Sequence, residues 1–189
     1  MSQQELDIEQ LLKDCLKGKQ SAQLAVYNRF YKAMYNTALR IVKDSFEAED
    51  VMQESFLNAF SKLGSYRAEV TFGAWLKRIV INNSIQHYRK SIKVEHVALD
   101  DVLYRVEDTE EVAPDIMYTN LKAQEVMQTM RLLKDNYRIA LTLKLIEGYD
   151  NQEICQIMEI NDVNCRTLIS RAKDSLRKKL NQSAYETRE

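Results

Sequence analysis

Apolar residues recur three and four positions apart along most of this chain, the spacing that places side chains on one face of an α-helix. The clearest run lies within residues 21–42, similar spacing continues through 44–63 and 72–91, and it resumes near Met117. Alternating apolar and polar positions, which would indicate strands, are scarce. With four glycines and one proline in 189 residues, few positions interrupt a helix. The pattern therefore predicts an all-helical protein.

Short polar motifs predict where several of these helices begin and end. Asp44 and Asp150 are each followed three residues later by glutamate, the spacing of a capping box. Asp162 is a further candidate N-cap, for a last helix that should run to about Leu180. Gly148 is expected to end the helix before it.

The segment 93–116 differs in composition from the chain on both of its sides. It is rich in acidic residues, as in "EHVALDDVLYRVEDTEEVAPD", and it holds the single proline of the chain. This composition predicts an acidic linker between two small helical domains, residues 1–92 and 117–189. No internal repeat is visible in either domain.

Basic residues are concentrated in two zones, although the formal net charge of the whole chain is −1. Residues 70–94 contain no acid, and residues 166–179 contain Asp174 as their single acid. Two basic zones on either side of an acidic segment suit two contacts with a nucleic-acid backbone. Solvated helix faces would explain either zone alone equally well.

Several classes of function are disfavoured by the sequence. No run of eighteen apolar residues exists and the N-terminus resembles no signal peptide, so we expect a cytoplasmic protein without membrane insertion. The three cysteines lack C-x-x-C spacing and are expected to be buried free thiols rather than disulfide partners or metal ligands. His87 and His96 are isolated and no glycine-rich phosphate loop is present. We therefore expect neither an enzyme nor a cofactor.

The stretch "YDNQEICQIMEINDVNCRTLISRAKDSLRKKL" has the pattern of a short helix, a tight turn and a longer basic helix. This is the architecture of a helix-turn-helix, whose second helix enters the major groove of DNA. A plain helical hairpin is the alternative, and the one-sided charge favours DNA binding. The candidate DNA-binding residues of the second helix are Asn164, Arg166, Thr167, Ser170 and Arg171.

The stretch "AEDVMQESF" lies on a predicted helix with two different faces. One face is apolar and suited to a core. The other carries Asp50, Gln53, Glu54 and Leu57, of which Leu57 is an apolar residue among polar neighbours. Such a face can bind a partner, but an exposed aspartate and glutamine are more often simply solvated.

The stretch "YRAEVTFGAWLKRIVINNSIQHYRK" combines aromatic, amide and cationic residues on a loop and the helix that follows. Amides can read base edges, aromatics stack on unpaired bases and cations hold phosphates, so the set suits strand-separated DNA. A core tryptophan with a charged surface is the alternative explanation. The candidates are Tyr66, Arg67, Arg78, Asn82, Asn83, Gln86, Arg89 and Lys90.

Taken in order, these three stretches resemble one family, the extracytoplasmic-function (ECF) sigma factors of the sigma-70 superfamily. "AEDVMQESF" resembles region 2.2, "FGAWLKRIVINNSIQHYRK" regions 2.3–2.4, and "EGYDNQEICQIMEINDVNCRTLISRAKDSL" region 4. The likeness covers about residues 20–180. It implies an alternative sigma factor that binds core RNA polymerase, directs promoter-specific transcription initiation and is not itself an enzyme.

The resemblance also implies roles for particular residues. Asp50 and Gln53 match the positions that dock on the clamp helices of the largest polymerase subunit, with Glu54 and Leu57 beside them. Asn82 matches a base-reading asparagine. Tyr66 lies in the loop that, in the family, surrounds a flipped base of the minus-ten element. The positions that face the minus-thirty-five element are matched by Arg166, Thr167 and Arg171. Arg138 matches an arginine that meets the DNA backbone. The polymerase flap is a further expected contact.

One departure from the family pattern leaves alternatives open. Leu168 stands where the family usually has arginine, which weakens the case for tight minus-thirty-five binding. Region 4 could instead be recruited by another DNA-bound protein. A stand-alone helix-turn-helix regulator is a third interpretation, although it leaves Asp50 and Gln53 unexplained. An anti-sigma factor is a further candidate partner that the family implies.

Overall fold

The computed structural model describes residues 3–98 and 121–186. Within these ranges it contains α-helices with one short 3₁₀ turn and one π-helical turn, and no strand. The helices form two compact units, and each unit holds a core of its own. The predicted all-α class is therefore confirmed, as is the presence of two helical domains.

The first unit is a bundle in which three long helices pack around one core. Its elements are α1 (Gln3–Leu16), α2 (Gln20–Val42), α3 (Ser45–Ser61), a 3₁₀ turn (Leu63–Ser65) and α4 (Phe72–Ala98). The α2, α3 and α4 helices contact one another pairwise, and α1 packs on α2. Fully buried aliphatic side chains such as Val26, Ile41, Val51 and Leu76 form the centre of this core.

The second unit is built around the last and longest of its helices. Its elements are α5 (Leu121–Arg131), α6 (Asp135–Leu141), a π-helical turn (Thr142–Ile146), α7 (Asn151–Met158) and α8 (Asp162–Glu186). Helices α5, α6 and α7 each pack against α8. The α7–turn–α8 segment is the predicted helix-turn-helix, and Glu159 in its turn adopts a left-handed conformation with φ of 48°.

Asp44 and Asp150 cap their helices as predicted. The carboxylate of Asp44 accepts a hydrogen bond from the Glu47 amide, and Asp150 forms a complete capping box with Glu153. The prediction for the last helix was displaced by one residue. Asn161 is the cap of α8, because its side-chain oxygen accepts from the Asn164 amide at 2.8 Å.

Two expectations about the chain between the units have different outcomes. Helix α4 was expected to end near Ser91 but continues to Ala98, since neither glycine nor proline interrupts that stretch. The rest of the predicted acidic linker, residues 99–116, lies outside the described residues, so the boundaries 1–92, 93–116 and 117–189 stay predictions. No helix in the described part of the chain is both long and apolar enough to cross a membrane.

All three cysteines are free thiols, but they differ in accessibility. Cys15 and Cys165 are buried, whereas Cys155 is partly exposed. Burial raises the pKa of the Cys15 thiol, and burial together with contact to Cys155 raises the pKa of Cys165 to about 11. The thiolate, which is the reactive form, is therefore disfavoured at both buried positions.

We predict that iodoacetamide at pH 8 modifies Cys155 of the folded protein well before Cys15 and Cys165. The measurement is mass spectrometry of peptides over a time course, and denatured protein, in which all three thiols should react together, is the control. Modification of Cys165 as fast as Cys155 would show that α7 separates from α8 in solution, contrary to the packing described.

Candidate protein and nucleic-acid interfaces

One face of α3 points directly away from the core of the first unit. Residues spaced 0, 4, 7 and 11 along a helix share a face, and on α3 these are Phe46, Asp50, Gln53 and Leu57, here called the α3 stripe. All four are exposed, with 79% of Phe46 and 71% of Leu57 accessible. Glu54, also exposed, flanks the stripe. The structure therefore brings the predicted polymerase-binding residues onto one surface.

Phe46 belongs to this surface, although the sequence analysis did not identify it as a candidate binding residue. It lies at the start of α3, where an aromatic residue reads equally well as a first-turn core residue. The buried positions of α3 fall on the opposite face, so the spacing of four from Asp50 and eleven from Leu57 was the available signal. The stripe thus has an apolar residue at each end and two polar residues between, over about 16 Å.

The polar residues of the α3 stripe are partly organised before any partner binds. The Gln53 side-chain nitrogen donates to the Glu49 carboxylate at 3.1 Å, one turn earlier on the helix. This hydrogen bond limits the orientations of the amide while leaving its oxygen available as an acceptor. Asp50 and Gln53 can therefore present acceptors side by side to donors of a partner.

The loop before α4 is held by an aromatic cluster. The Tyr66 ring lies 5.3 Å from the Trp75 ring and 5.7 Å from the Phe72 ring, centroid to centroid. The Tyr66 hydroxyl donates to the Val70 carbonyl at 2.7 Å, which closes the loop. Burial, followed by the negative charge of Glu9, raises the pKa of Tyr66, so the hydroxyl stays a donor at neutral pH.

The entry into α4 is also fixed by local contacts. The Thr71 hydroxyl accepts from the Ala74 amide as a helix cap. A Cβ added at Gly73 would lie 3.1 Å from the Phe30 ring, so glycine allows α4 to start close against α2. Ala68 has φ of 56°, which is uncommon for a residue with a side chain. Arg67, beside it, is exposed on this constrained loop.

The outer face of α4 continues from this loop. Arg78, Asn82, Gln86 and Arg89 follow at spacings of four, four and three, opposite the buried Leu76 and Val80, and therefore share one face. Asn82 and Gln86 are exposed, and Lys90 lies at the edge of the same face. Trp75, half-buried, lies at the loop end of the same line of side chains, seven residues before Asn82. Aromatic, amide and cationic groups are thus in line, as strand-separated DNA requires.

Asn83 does not belong to that face, unlike the other candidates on α4. Its side-chain nitrogen donates at 3.0 Å to the hydroxyl of Ser55, a fully buried residue of α3. That hydroxyl in turn donates to the Val51 carbonyl at 2.6 Å. Asn83 thus ties α4 to α3, and its contact with DNA stays a prediction.

Helix α8 exposes the residues expected of a recognition helix. Asn164, Arg166, Thr167, Ser170 and Arg171 are all exposed, while Cys165, Ile169 and Ala172 are buried against the rest of the unit. The Thr167 hydroxyl donates to the Val163 carbonyl at 2.9 Å, which leaves its oxygen able to accept a further hydrogen bond. Leu168 is half-buried rather than fully presented to a partner.

The carboxylate of Asp162 forms an ion pair with Arg166, the first arginine of α8, and would compete with a phosphate for it. Arg166 Nη2 lies 2.7 Å from Asp162 Oδ2, one turn earlier, and both side chains are well exposed. Exposed pairs of this kind are weak, so a phosphate can replace the carboxylate. Until it does, the acid lowers the positive charge available at this end of the helix.

Arg138 is placed differently from the surface position that the family likeness implied. Its residue exposure is 3%, and its guanidinium pairs with Asp135 at 3.2 Å on the same helix. A guanidinium packed inside the unit has no access to a DNA backbone in this conformation. The burial of Arg138 does not favour a backbone contact, which stays a prediction.

Within the described ranges, no group of three or more histidine, cysteine or acidic residues is arranged to hold a metal ion.

Comparison with known families defines the class of protein. The family model "Sigma-70 region 2" matches residues 26–93, and "Sigma-70, region 4" matches residues 123–176. Together the two models match more than half of the chain. They coincide with the unit that carries the α3 stripe and with the unit that carries the helix-turn-helix. The chain is a sigma factor of the sigma-70 superfamily.

Relatives of known name narrow the class. The chain is 30% identical to "ECF RNA polymerase sigma factor SigM" of Bacillus subtilis over 80% of this chain and 91% of that protein. It is 28% identical to "RNA polymerase sigma-H factor" of Pseudomonas aeruginosa over 95% and 96%. The protein belongs to the ECF RNA polymerase sigma factors. It is a sigma factor that binds core RNA polymerase and promoter DNA and directs transcription initiation.

Solved structures agree with this fold. The sigma factor RpoE of Bartonella quintana, in complex with the anti-sigma factor NepR, aligns with a TM-score of 0.59 at 20% identity, covering 83% of this chain and 95% of that one. CnrH, in complex with the cytosolic domain of CnrY, aligns with a TM-score of 0.52 at 20% identity, covering 91% and 96%.

Proposed function

We propose that the α3 stripe is the surface through which this sigma factor docks on the clamp helices of the largest polymerase subunit. The observation that carries this proposal is the position of Asp50 and Gln53 between the exposed Phe46 and Leu57, directly opposite the core. An exposed apolar pair on a well-packed unit leaves apolar surface in water, which a partner would cover. The polar centre supplies directed hydrogen bonds and thus fixes the orientation.

Promoter recognition is assigned to two surfaces. The loop carrying Tyr66 and the outer face of α4, with Asn82 at its centre, capture an unstacked base of the minus-ten element. Helix α8 enters the major groove at the minus-thirty-five element, with Arg166 and Arg171 toward phosphates or guanine edges. Stacking and pocket contacts offset a few kcal/mol of base unstacking. No covalent step is needed, and we assign the protein no enzymatic activity.

Recruitment of region 4 by another DNA-bound protein finds little support in this arrangement. Leu168, the residue that suggested it, is half-buried, and the exposed candidates around it are polar or cationic. The relatives named above are sigma factors, which also disfavours a stand-alone regulator. We further propose that the protein acts in the cytoplasm and that an anti-sigma factor holds it inactive, as the aligned sigma factor RpoE is in complex with the anti-sigma factor NepR.

Run-off transcription tests the proposal. Core polymerase is combined with the purified protein on a pool of promoter fragments, and transcripts from a shared upstream element are expected. Core polymerase alone on the same pool is the control. Absence of any stimulated transcript, together with absence of binding to core polymerase at low salt, would reject the proposal.

We predict that Asp162→Asn strengthens promoter binding. Loss of the carboxylate frees Arg166 from its 2.7 Å ion pair and removes a negative charge beside the DNA backbone. One additional phosphate contact should raise holoenzyme affinity for a promoter roughly threefold to tenfold at low salt and steepen its salt dependence by about one unit of slope. Fluorescence anisotropy against salt concentration measures both quantities.

A matched pair on the same helix serves as the control for this prediction. Asp174 pairs with Arg177 at 2.9 Å, also on the exposed surface of α8 but three turns later. Because recognition helices dock through their N-terminal residues, Asp174→Asn should change affinity much less. Equal effects at the two sites would mean that overall charge, rather than the position of Arg166, governs binding.

A further inference from the structure

Helix α8 carries an apolar side chain at the centre of its outward face. Val163, Thr167 and Ser170 follow at spacings of four and three on the side opposite the buried Cys165 and Ile169. Val163 is 72% exposed. It is the second residue of the helix, and thus belongs to the part of a recognition helix that contacts base edges.

Packing within its own unit does not explain why a valine occupies position 163. Its residue exposure exceeds the 69% of Leu132 and the 51% of Leu145, two other exposed apolar residues of the same unit. Its backbone is nevertheless firmly held. The preceding Asn161 caps the helix, and the Thr167 hydroxyl donates to the Val163 carbonyl. A β-branched side chain on such a backbone has little rotational freedom, so little order is lost when it makes a contact.

Polar and charged residues flank Val163 on both sides of this face. Arg166 with Asp162 lies on one side and Asn164 with Arg171 on the other, so the groups that can hold phosphates or polar base edges flank an uncharged centre. Among the groups that base pairs present in the major groove, the thymine C5-methyl is the apolar one. If α8 enters the groove with this face inward, a valine between polar flanks fits that methyl group and gains nothing from a polar edge.

We propose that Val163 is a specificity-determining residue that contacts the C5-methyl of one thymine in the minus-thirty-five element. The inference rests on the proposed entry of α8 into the major groove and adds to it a particular base preference. Burying one methyl-sized contact corresponds to about a fourfold change in affinity. The effect should fall on a single position of the promoter.

The test replaces thymine by deoxyuridine, which removes the C5-methyl and leaves base pairing intact. Holoenzyme binding is measured on a promoter duplex obtained by selection, with each upstream thymine replaced in turn. The native protein should lose about fourfold at one thymine. Val163→Ala should bind the thymine and deoxyuridine duplexes equally at that position, whereas Leu132→Ala, an equally exposed apolar change, should keep the native discrimination.

The outcomes separate this inference from the proposed function. If no promoter duplex is bound, the proposed function fails, and the inference about Val163 is rejected as well. If promoters are bound but no thymine is sensitive in the native protein, the inference fails while the proposed function stands. If Val163→Ala weakens all duplexes equally, or retains the sensitivity to deoxyuridine, Val163 does not contact the methyl group. Thermal melting confirms that the variant is folded, since an exposed side chain contributes little to stability.

Discussion

Replacing Asp50 and Gln53 together by alanine should abolish stable binding to core RNA polymerase while leaving the fold intact. Both side chains are exposed, and among the described residues the hydrogen bond seen for this pair is the local contact of Gln53 with Glu49. At the centre of an interface, polar groups that pair with a partner commonly cost 2 kcal/mol or more when removed. We expect a loss of about 3 kcal/mol, roughly a hundredfold in Kd, measured by competition with a labelled sigma factor for core enzyme.

The second unit supplies a matched control for this experiment. Glu125 and Gln128 repeat the acid and amide at the same spacing of three on α5, and both are exposed. Their replacement by alanine should leave core binding within about twofold, because surface substitutions away from a contact change little. Binding by the Asp50 and Gln53 variant at the native level would show that α3 is not the docking surface.

The arrangement of the α3 stripe explains why the effect should be concentrated there. Phe46 and Leu57, at its ends, offer apolar area that loses contact with water on docking, and the polar pair between them would then lie in a water-poor centre. Hydrogen bonds in such a centre are worth more than at a wet rim, and removing one partner leaves the other unpaired. The apolar ends thus raise the cost of losing the polar centre.

Helix positions and most core residues of this protein could be predicted from sequence, because apolar spacing and N-cap residues are local signals. The capping box at Asp150 is one example. The cap of α8 was predicted one residue too late, because Asn161 and Asp162 are equally favourable residue types for an N-cap. The geometry of the helix start decides between them. Leu24 fits the apolar spacing of residues 21–42 but is 60% exposed, because the spacing of one helix does not say which neighbours will cover it.

The candidate surfaces were harder to predict residue by residue. Family likeness identified Asp50, Gln53 and Asn82, which all lie on the surface. The residue pattern did not separate Asn82 from Asn83, and the family likeness did not show that Arg138 is buried, because both distinctions depend on the rotation of a helix about its axis against its neighbours. Periodicity gives that rotation within about one residue, which is the difference between a surface asparagine and one that joins two helices.

Asn82→Ala should therefore affect promoter opening, whereas Asn83→Ala should affect the stability of the fold. Asn82→Ala should leave the melting temperature unchanged and reduce promoter opening about tenfold, since a good base contact is worth about 1–3 kcal/mol. Asn83→Ala removes the 3.0 Å hydrogen bond to Ser55 and leaves a buried hydroxyl without its donor. We expect it to lower the free energy of unfolding by about 1–3 kcal/mol. Chemical denaturation and permanganate footprinting of unpaired thymines measure the two quantities.

A double-mutant cycle makes the assignment of Asn83 sharper. If the hydrogen bond is its main contribution, Ser55→Ala should cost less in the Asn83→Ala background than in the native protein, because contacting residues are energetically coupled. Asn82→Ala combined with Ser55→Ala should instead be additive, because Ser55 is buried against α4 and Asn82 faces outward. Equal losses of stability from the two asparagines, or normal promoter opening by folded Asn82→Ala, would reverse the assignment. In this assignment Asn83 holds α4 to α3, and Asn82 is predicted to contact the separated strand.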